Sequence, residues 1–276
     1  MIKNIVVLLI AMIMCTSSVL AKTDKSSAEY LKNKKHFTPL NPFVESIAQK
    51  VIKKTLKKST GEIFKVKFDG YTLYSMKQGV FKNLELEGDN FQISGIDVKY
   101  LKLKSITDYN KINYKQNPAV IETDMIYAYE LHLTEKSINQ VLNHKEYQKK
   151  IDKINNITYP LFMLKNIDAK INNNKLHMII SYNFPIAPSN KDKIFTIKTG
   201  LKVERNKISA DEIDIDSSNK ALSAEKITNL INHLDPLTFA LDLMNTKKCN
   251  ARVENIKIID NFIQINGKIY VKGEDK

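Results

Sequence analysis

The fold is decided by residues 119–133, which read AVIETDMIYAYELHL. Apolar and polar side chains alternate along this stretch, a pattern typical of a β-strand with one buried face. The residues expected on the buried face are Ile121, Met125, Tyr127, Tyr129, Leu131 and Leu133. Fifteen residues in one strand would extend about 50 Å, whereas an ordinary strand has only about five or six residues. The stretch therefore predicts a sheet of unusually long strands.

Further alternating stretches predict that the other strands pair as hairpins. Residues 161–171 and 176–184 flank the run Asn172-Asn173-Asn174, which is a turn signal. Residues 253–259 and 263–271 flank a second short turn near the end of the chain. Successive hairpins with a single apolar face indicate an antiparallel sheet.

A single long helix is predicted over residues 41–58. Asn41 is a favourable N-cap and Pro42 fits the first helical position. Apolar side chains recur every three or four residues on one side: Val44, Ile47, Ala48, Val51 and Ile52. The helix is expected to stop near residues 59–61.

The fold class follows from the shortage of long helices. One helix cannot cover a flat sheet of this area, and long strands twist and curl. We therefore predict an α+β fold, in which a long, strongly curled antiparallel sheet wraps around the N-terminal amphipathic helix, with short additional helices.

Two of the short helices are predicted from a weak internal repeat. Residues 133–144 and 222–233 each have an N-capping hydroxyl, Thr134 or Ser223, followed by apolar residues at helical spacing. Chance similarity between two short helices is the alternative interpretation. A further helix is predicted over residues 237–244.

Composition excludes several classes of protein. The chain has 276 residues, 43% of them apolar, two cysteines, a net charge of +13 and a mean hydropathy of -0.31. It is thus not disordered throughout, not a disulfide-stapled scaffold and not a polytopic membrane protein. Almost all the basic excess is lysine, because Arg205 and Arg252 are the only arginines.

Residues 1–21 predict a secretory signal. Lys3 precedes an apolar run over residues 5–14, and small residues lead up to Ala21. The run is shorter than the roughly 20 residues of a membrane span, although an uncleaved anchor is the alternative. We expect cleavage after Ala21, which lowers the net charge from +13 to +12 by removing Lys3. A flexible lead-in over 22–40 and a single α+β domain over 41–276 would follow, in the periplasm or extracytoplasmic envelope.

The sequence lacks the common motifs of catalysis and metal binding. It has no Gly-rich phosphate loop, no His-Glu-x-x-His pair, no Cys-x-x-Cys and no Gly-x-Ser-x-Gly elbow. The densest acidic run, from Asp211 to Asp216, partly alternates with isoleucine, as a solvated strand face does. Cys249 is expected to pack near the start of a strand. These observations predict a protein that is not an enzyme and has no metal site or cofactor.

The predicted helix also carries a basic face formed by Lys50, Lys53, Lys54, Lys57 and Lys58. Like charges at i, i+4 cost about 0.2–0.5 kcal/mol per pair, so a merely solvated face is one interpretation. The other is an anionic surface nearby. For an exported protein, anionic lipid headgroups or wall polymers are more plausible partners than nucleic acid.

Four stretches occur in an order that resembles a known family. They are VKF at 66–68 with GVFKNLELEG at 79–88; FQISGI at 91–96 with LKL at 101–103; LTE at 133–135 with Ile138 and Leu142; and DPL at 235–237 with VENIKI at 253–258. Over residues 41–273 this order resembles the LmeA-like phospholipid-binding proteins, a bacterial exported family related to the TULIP-like fold. Residues 105–120 and 145–160 do not match the pattern.

The resemblance implies a single lipid-binding-like domain that holds phospholipid acyl chains between helix and curled sheet, for envelope lipid transport or maintenance. It carries no catalytic residues. The expected groove residues are Val44, Ile47, Val51, Phe64, Phe68, Met125, Tyr127, Tyr129, Met178 and Tyr182. The five lysines of the basic face would contact headgroups or the membrane. The first alternative is a structural or interaction protein of the cell envelope with a filled core, and the second is an enzyme acting on lipid or glycan.

Overall fold

The computed structural model describes residues 41–93, 95–113, 116, 120–186, 191–217, 235–242 and 248–273. The predicted signal (1–21), the lead-in (22–40) and the second repeat unit (222–233) lie outside these residues. Within the described part of the chain, none of the helices is both long enough and apolar enough to cross a membrane.

The described residues form five helices and thirteen strands. The helices are α1 (Asn41–Thr60), α2 (Leu73–Lys77), α3 (Glu135–Leu142), α4 (Lys145–Thr158) and α5 (Pro236–Asp242). The strands are β1 (Lys65–Asp69), β2 (Val80–Phe81), β3 (Asn83–Ile93), β4 (Ile96–Ser105), β5 (Asn110–Asn113), β6 (Val120–Ile121), β7 (Met125–Thr134), β8 (Met163–Asn172), β9 (Lys175–Asn183), β10 (Lys193–Glu204), β11 (Lys207–Ser217), β12 (Cys249–Ile259) and β13 (Phe262–Val271).

The strands form three sheets. The first sheet has the order β1-β3-β4-β7-β13-β12, the second β11-β10-β9-β8 and the third β2-β5-β6. Every pairing among these described strands is antiparallel. The predicted α+β class and the antiparallel pairing are therefore confirmed.

The alternation that predicted the fold is present in β7, at the middle of the first sheet. Leu131 faces Leu101 on β4 and Ile265 on β13, and all three side chains are buried. The prediction of one strand over 119–133 was wrong, however, because the chain turns between β6 and β7. Thr123 Oγ1 accepts a hydrogen bond from the backbone N–H of Lys111 at 2.9 Å. At this point the Lys111 N–H therefore bonds to a side chain and not to a backbone carbonyl of a continuing strand.

Two hairpin turns of the second sheet have the geometry that asparagine favours. Asn173 and Asn174 have φ values of 51° and 55°, and Arg205 and Asn206 have values of 51° and 62°. Two central residues with positive φ define a type I′ turn, which matches the twist of the flanking strands. The predicted turn at 172–174 is thus confirmed.

Helix α1 packs against β1 and β3 at one side of the first sheet. Its buried residues, Ile52 and Leu56, lie in line with the half-buried Val44 and Ala48 at four-residue spacing. Gly61 follows the helix with a φ of 82° and donates its N–H to Lys57 O at 2.9 Å, so the helix stops where predicted.

Helix α3 lies between the first and second sheets, in contact with β4, β7 and β8. The Thr134 hydroxyl accepts the Ser137 N–H at 3.2 Å, and the Ser137 hydroxyl accepts the Thr134 N–H at 3.0 Å. This reciprocal capping fixes the start of α3, as predicted from Thr134. Strand β12 also contacts β10 and β11, and one hydrophobic cluster extends through both sheets.

Gly267 allows a close approach in the first sheet. A methyl group at this position would clash with Arg252 O and lie 2.9 Å from the Tyr129 ring. We expect Gly267→Ala to lower the free energy of unfolding by about 1–3 kcal/mol, the usual cost of overpacking. Urea unfolding followed by circular dichroism measures the change.

Gly200→Ala is the matched control, because the added carbon would lie at an ordinary 3.4 Å from Asp211 O. It should leave stability unchanged or raise it by about 0.4–1 kcal/mol. Equal stability of the two variants would contradict the close approach at Gly267.

Candidate functional site

Five of the predicted groove residues lie in the hydrophobic core beside the first sheet. Phe64, Phe68, Met125, Tyr127 and Tyr129 are each no more than 5% exposed and share one cluster with the buried stripe of α1. The Phe64 and Phe91 rings meet edge to face at 4.8 Å, and Phe68 lies 5.4 Å from Phe81. All five residues are buried, but β3 and β4 separate β1 from β7, and the rings of Phe64 and Phe68 pack against Phe91 and Phe81.

The three predicted groove residues on α1 take different positions. Val44 and Val51 are half-buried, whereas Ile47 is 46% exposed. At 100° per residue, Ile47 lies about 120° around the helix from the centre of the line formed by Val44, Ala48, Ile52 and Leu56, although it is only three residues from Val44. Ile47 therefore points away from the sheet that it was expected to face.

The predicted basic face of α1 is on the solvent side. Lys50, Lys54, Lys57 and Lys58 are exposed and Lys53 is half-buried. None of the five forms an ion pair with a carboxylate in the described part of the chain. Their contact with a membrane stays a prediction.

Two tyrosines on β7 differ in how their hydroxyls are satisfied. The Tyr127 hydroxyl donates to Met125 Sδ at 3.5 Å. The Tyr129 hydroxyl is buried and has no hydrogen-bond partner among the described residues. Burial, reinforced by the Glu254 carboxylate, raises the pKa of Tyr129 well above its usual range. Tyr129 is thus a neutral, unsatisfied donor inside the core.

The two remaining groove candidates, Met178 and Tyr182, lie on β9 in the second sheet. Tyr182 packs within an aromatic cluster with Phe162, Phe184 and Phe195, at ring distances of 5.3–5.5 Å. Met178 lies at the wall of a cavity instead. The predicted groove residues are therefore divided between two sheets.

This cavity, the β9–β11 cavity, has a volume of about 650 Å³. Its apolar wall consists of Leu176, Met178, Leu201, Ile208 and Ala210; its polar residues are Thr199, Ser209 and Thr238; and its charged residues are Glu204, Arg205, Lys207 and Asp235. Small-molecule sites typically have volumes of about 300–1,000 Å³, with a mainly apolar lining and a few polar groups. The β9–β11 cavity is within this size range, but its lining is more polar than is typical, because seven of its twelve lining residues are polar or charged.

The charged groups of the cavity differ in whether they already have partners. Glu204 lies 3.0 Å from Lys202. Asp235 accepts the Leu237 N–H at 2.9 Å and the Thr238 hydroxyl at 2.5 Å. Arg205 and Lys207 form no ion pair with a described carboxylate. The cavity therefore presents two cations without a described counter-ion, which favours an anionic group on a ligand.

Sequence reasoning missed Arg205 as a site residue. Its type I′ turn was predictable from Asn206, and its rarity was visible, since only two arginines occur in the chain. What the sequence did not show is that the start of β9, the end of β10 and α5 enclose a cavity beside this turn.

A second cavity, of about 510 Å³, lies near the start of α3 and includes Gln92, Asp97 and Lys136. Its main charges neutralise one another, because Lys136 Nζ lies 2.6 Å from Asp97 Oδ2. The Lys136 ammonium and the Gln92 amide hold the pKa of the Asp97 carboxyl below its usual value. This cavity has less apolar lining to offer a lipid than the β9–β11 cavity.

The acidic run on β11 is a solvated strand face, as predicted. Asp214 and Asp216 are exposed and lie 4.0 Å and 3.7 Å from Lys198 on the neighbouring strand. Among the residues that the structure describes, no group of three or more His, Cys, Asp or Glu side chains is placed to hold a metal ion.

Cys249 is the first residue of β12 and is buried, so its predicted packing position is confirmed. Burial raises the pKa of the Cys249 thiol to about 11. A thiol with that pKa is protonated near neutral pH and is a poor nucleophile.

Comparison of the chain with protein-family models, with curated proteins and with solved structures found no match.

Tyr129→Phe tests whether the core around β7 is filled or holds a ligand. Leaving a buried hydroxyl unsatisfied costs about 1–3 kcal/mol, so in a filled core its removal should raise the free energy of unfolding by about 1 kcal/mol. Tyr127→Phe, the matched control, loses only a weak contact to sulfur and should change stability little. A loss of stability on Tyr129→Phe would show that the hydroxyl has a partner, as the predicted groove requires.

The buried thiol predicts slow alkylation in the folded protein. In a Cys15→Ser chain, Cys249 is the only thiol. At pH 8, three units below its pKa, roughly one molecule in a thousand carries the thiolate. Iodoacetamide should therefore label the native protein far more slowly than the urea-unfolded protein, and the gap should narrow as the pH approaches 11. Equal rates in the two states would contradict the buried position.

Proposed function

We propose that this chain is a non-enzymatic exported protein that binds phospholipid, with an acyl chain in the β9–β11 cavity. The observation that supports the proposal is the pairing of an apolar wall around Met178 with two cations, Arg205 and Lys207, that have no described counter-ion. A phospholipid combines the same two features in one molecule.

The energetics favour such a ligand over a purely polar one. Each buried CH₂ group contributes about 0.8 kcal/mol, so a chain of several carbons binds well without specific polar contacts. A charge-assisted hydrogen bond to the phosphate adds about 1.5–3 kcal/mol. Glu204 and Asp235 also line the cavity, and their negative charge repels an anion. This repulsion is reduced because Glu204 pairs with Lys202 and Asp235 accepts hydrogen bonds from the start of α5.

The wider proposal keeps the resemblance to the LmeA-like family, an envelope role in lipid transport or maintenance, and a periplasmic or extracytoplasmic location. It also includes the prediction that the first sheet curls around α1. The packing of Ile52 and Leu56 against β1 and β3 supports that wrapping at one side of the sheet. The exposed lysines of α1 would contact anionic headgroups. No metal, cofactor or nucleic acid has a part in the proposal.

A structural or interaction protein of the envelope is the second candidate, and one observation favours it. Phe64 and Phe68, which were predicted to line the groove beside α1, are buried against the rings of Phe91 and Phe81, as in a filled core. In that case the β9–β11 cavity would take no acyl chain, and the protein would act through its surface.

Lipid binding is tested with the full chain by native mass spectrometry and by uptake of a fluorescent phospholipid. We expect lipid to copurify and the fluorescent phospholipid to bind. Arg205→Asn with Lys207→Gln should weaken uptake about tenfold or more, since each lost phosphate contact is a charge-assisted hydrogen bond. Asparagine suits the positive φ of residue 205.

Two further variants locate the site. Lys82→Gln with Lys104→Gln removes the same charge from exposed positions outside the cavity and should leave uptake unchanged. Ala210→Trp should block uptake by filling the cavity. Absence of both copurified lipid and uptake would overturn the proposal, and uptake that survives Ala210→Trp would place the lipid elsewhere.

A further inference from the structure

Five large apolar side chains are exposed at one end of the second sheet. They are Ile157, Tyr159, Leu161, Ile186 and Ile194, with exposures between 56% and 83%. Single exposed apolar residues are ordinary on protein surfaces, whereas a group of them marks a site of contact. Together these five form the apolar tip.

The strand register brings these residues to the same end. Residues 157–161 lead from α4 into β8, whose first residue, Met163, pairs with Asn183 near the end of β9. Ile194, near the start of β10, pairs with Ser181. The rings of Phe162 and Phe184 lie 6.1 Å apart, so the segment before β8 contacts the segment after β9.

The segment from Ile157 to Leu161 is held in place by its own polar groups. The Thr158 hydroxyl lies 2.8 Å from Phe162 O and 2.9 Å from Ile154 O. The Asn155 amide accepts the Leu164 N–H at 2.7 Å and donates to Leu164 O at 3.0 Å. Because the local polar groups are satisfied inside the protein, the apolar side chains project outward on a fixed support.

Lysines surround the apolar tip. Lys153 precedes Ile157 by one helical turn on α4 and is exposed, as are Lys165 and Lys191. None of these three forms an ion pair with a carboxylate among the described residues. Lys193 Nζ lies 5.0 Å from the centre of the Phe184 ring.

Two carboxylates, Asp152 and Asp192, are also present at this end, and Asp192 accepts a hydrogen bond from the Asn183 amide at 3.3 Å. The four lysines exceed them, so the charge around the apolar tip is positive.

We propose that the apolar tip docks onto a lipid bilayer that contains anionic headgroups. Projecting apolar side chains can enter the headgroup boundary, and tyrosine is favoured at that depth. Lysine suits diffuse attraction to an anionic surface, worth about 1 kcal/mol per residue near the membrane. This docking does not require a lipid in the β9–β11 cavity, so either proposal can fail without the other.

The absence of tryptophan from the chain allows a direct test. In a Leu161→Trp chain, the single indole should shift to shorter emission wavelengths when vesicles of phosphatidylcholine and phosphatidylglycerol are added. Phosphatidylcholine alone should give a smaller shift, and salt should reduce the response. An Ile106→Trp chain is the control, because Ile106 is also exposed, at 51% against 71% for Leu161, but lies outside the apolar tip. Its emission should not shift.

Vesicle binding by substituted chains completes the test. Ile157→Ser with Leu161→Ser should weaken binding at least about tenfold, and Lys153→Gln with Lys191→Gln should weaken it about tenfold on anionic vesicles. Ile63→Ser with Ile106→Ser, two exposed isoleucines outside the apolar tip, should have no effect.

Equal shifts from the Leu161→Trp and Ile106→Trp chains, or no shift from the Leu161→Trp chain, would overturn the proposal. A shift that appears without vesicles and grows with protein concentration would assign the apolar tip to contact between two copies of the chain and would equally overturn it. Uptake of fluorescent phospholipid by the Ile157→Ser, Leu161→Ser chain measures lipid binding in the β9–β11 cavity separately from docking of the apolar tip.

Discussion

The docking of α3 between the two large sheets is the contact on which the architecture depends. Asn139 donates to Ala169 O and accepts from Ala169 N–H, both at 2.8 Å, and Glu135 accepts the Ile171 N–H at 3.1 Å. β8 is an edge strand of the second sheet, so these side chains satisfy backbone groups that would otherwise be unpaired. The same helix packs against β4 and β7, which fixes the second sheet relative to the first.

The β9–β11 cavity depends on that arrangement. Helix α5 contacts both α3 and β11, and Asp235 and Thr238 at its start line the cavity. With α3 fixed by β8, α5 is held beside β11, the strand that carries Ile208. The apolar wall is therefore part of a sheet face that α5 covers only in part, which explains how a core residue such as Met178 can also line a cavity.

Local pattern predicted the local structure well, and tertiary contacts decided the rest. Alternation predicted most strands, the run Asn172-Asn173-Asn174 predicted a turn, and Thr134 predicted the start of α3. The pattern did not show that Thr123 would end a strand by binding the backbone of Lys111. It also placed Ile47 inside, because spacing alone does not decide which of two overlapping stripes meets the sheet. The cavity was not predictable, since its walls come from segments distant in sequence.

The two proposed contacts lie at opposite ends of the second sheet, and this limits how they can act together. The turn at Arg205 follows the end of β10, whereas Ile194 lies near its start, eleven residues earlier. At about 3.3 Å per residue, these ends are roughly 35 Å apart. A bilayer at the apolar tip would therefore not reach the cations of the cavity, because its headgroup region is far thinner than that. A lipid in the β9–β11 cavity would face away from the docked membrane, which suits a protein anchored on one surface while it exchanges its ligand with the opposite side.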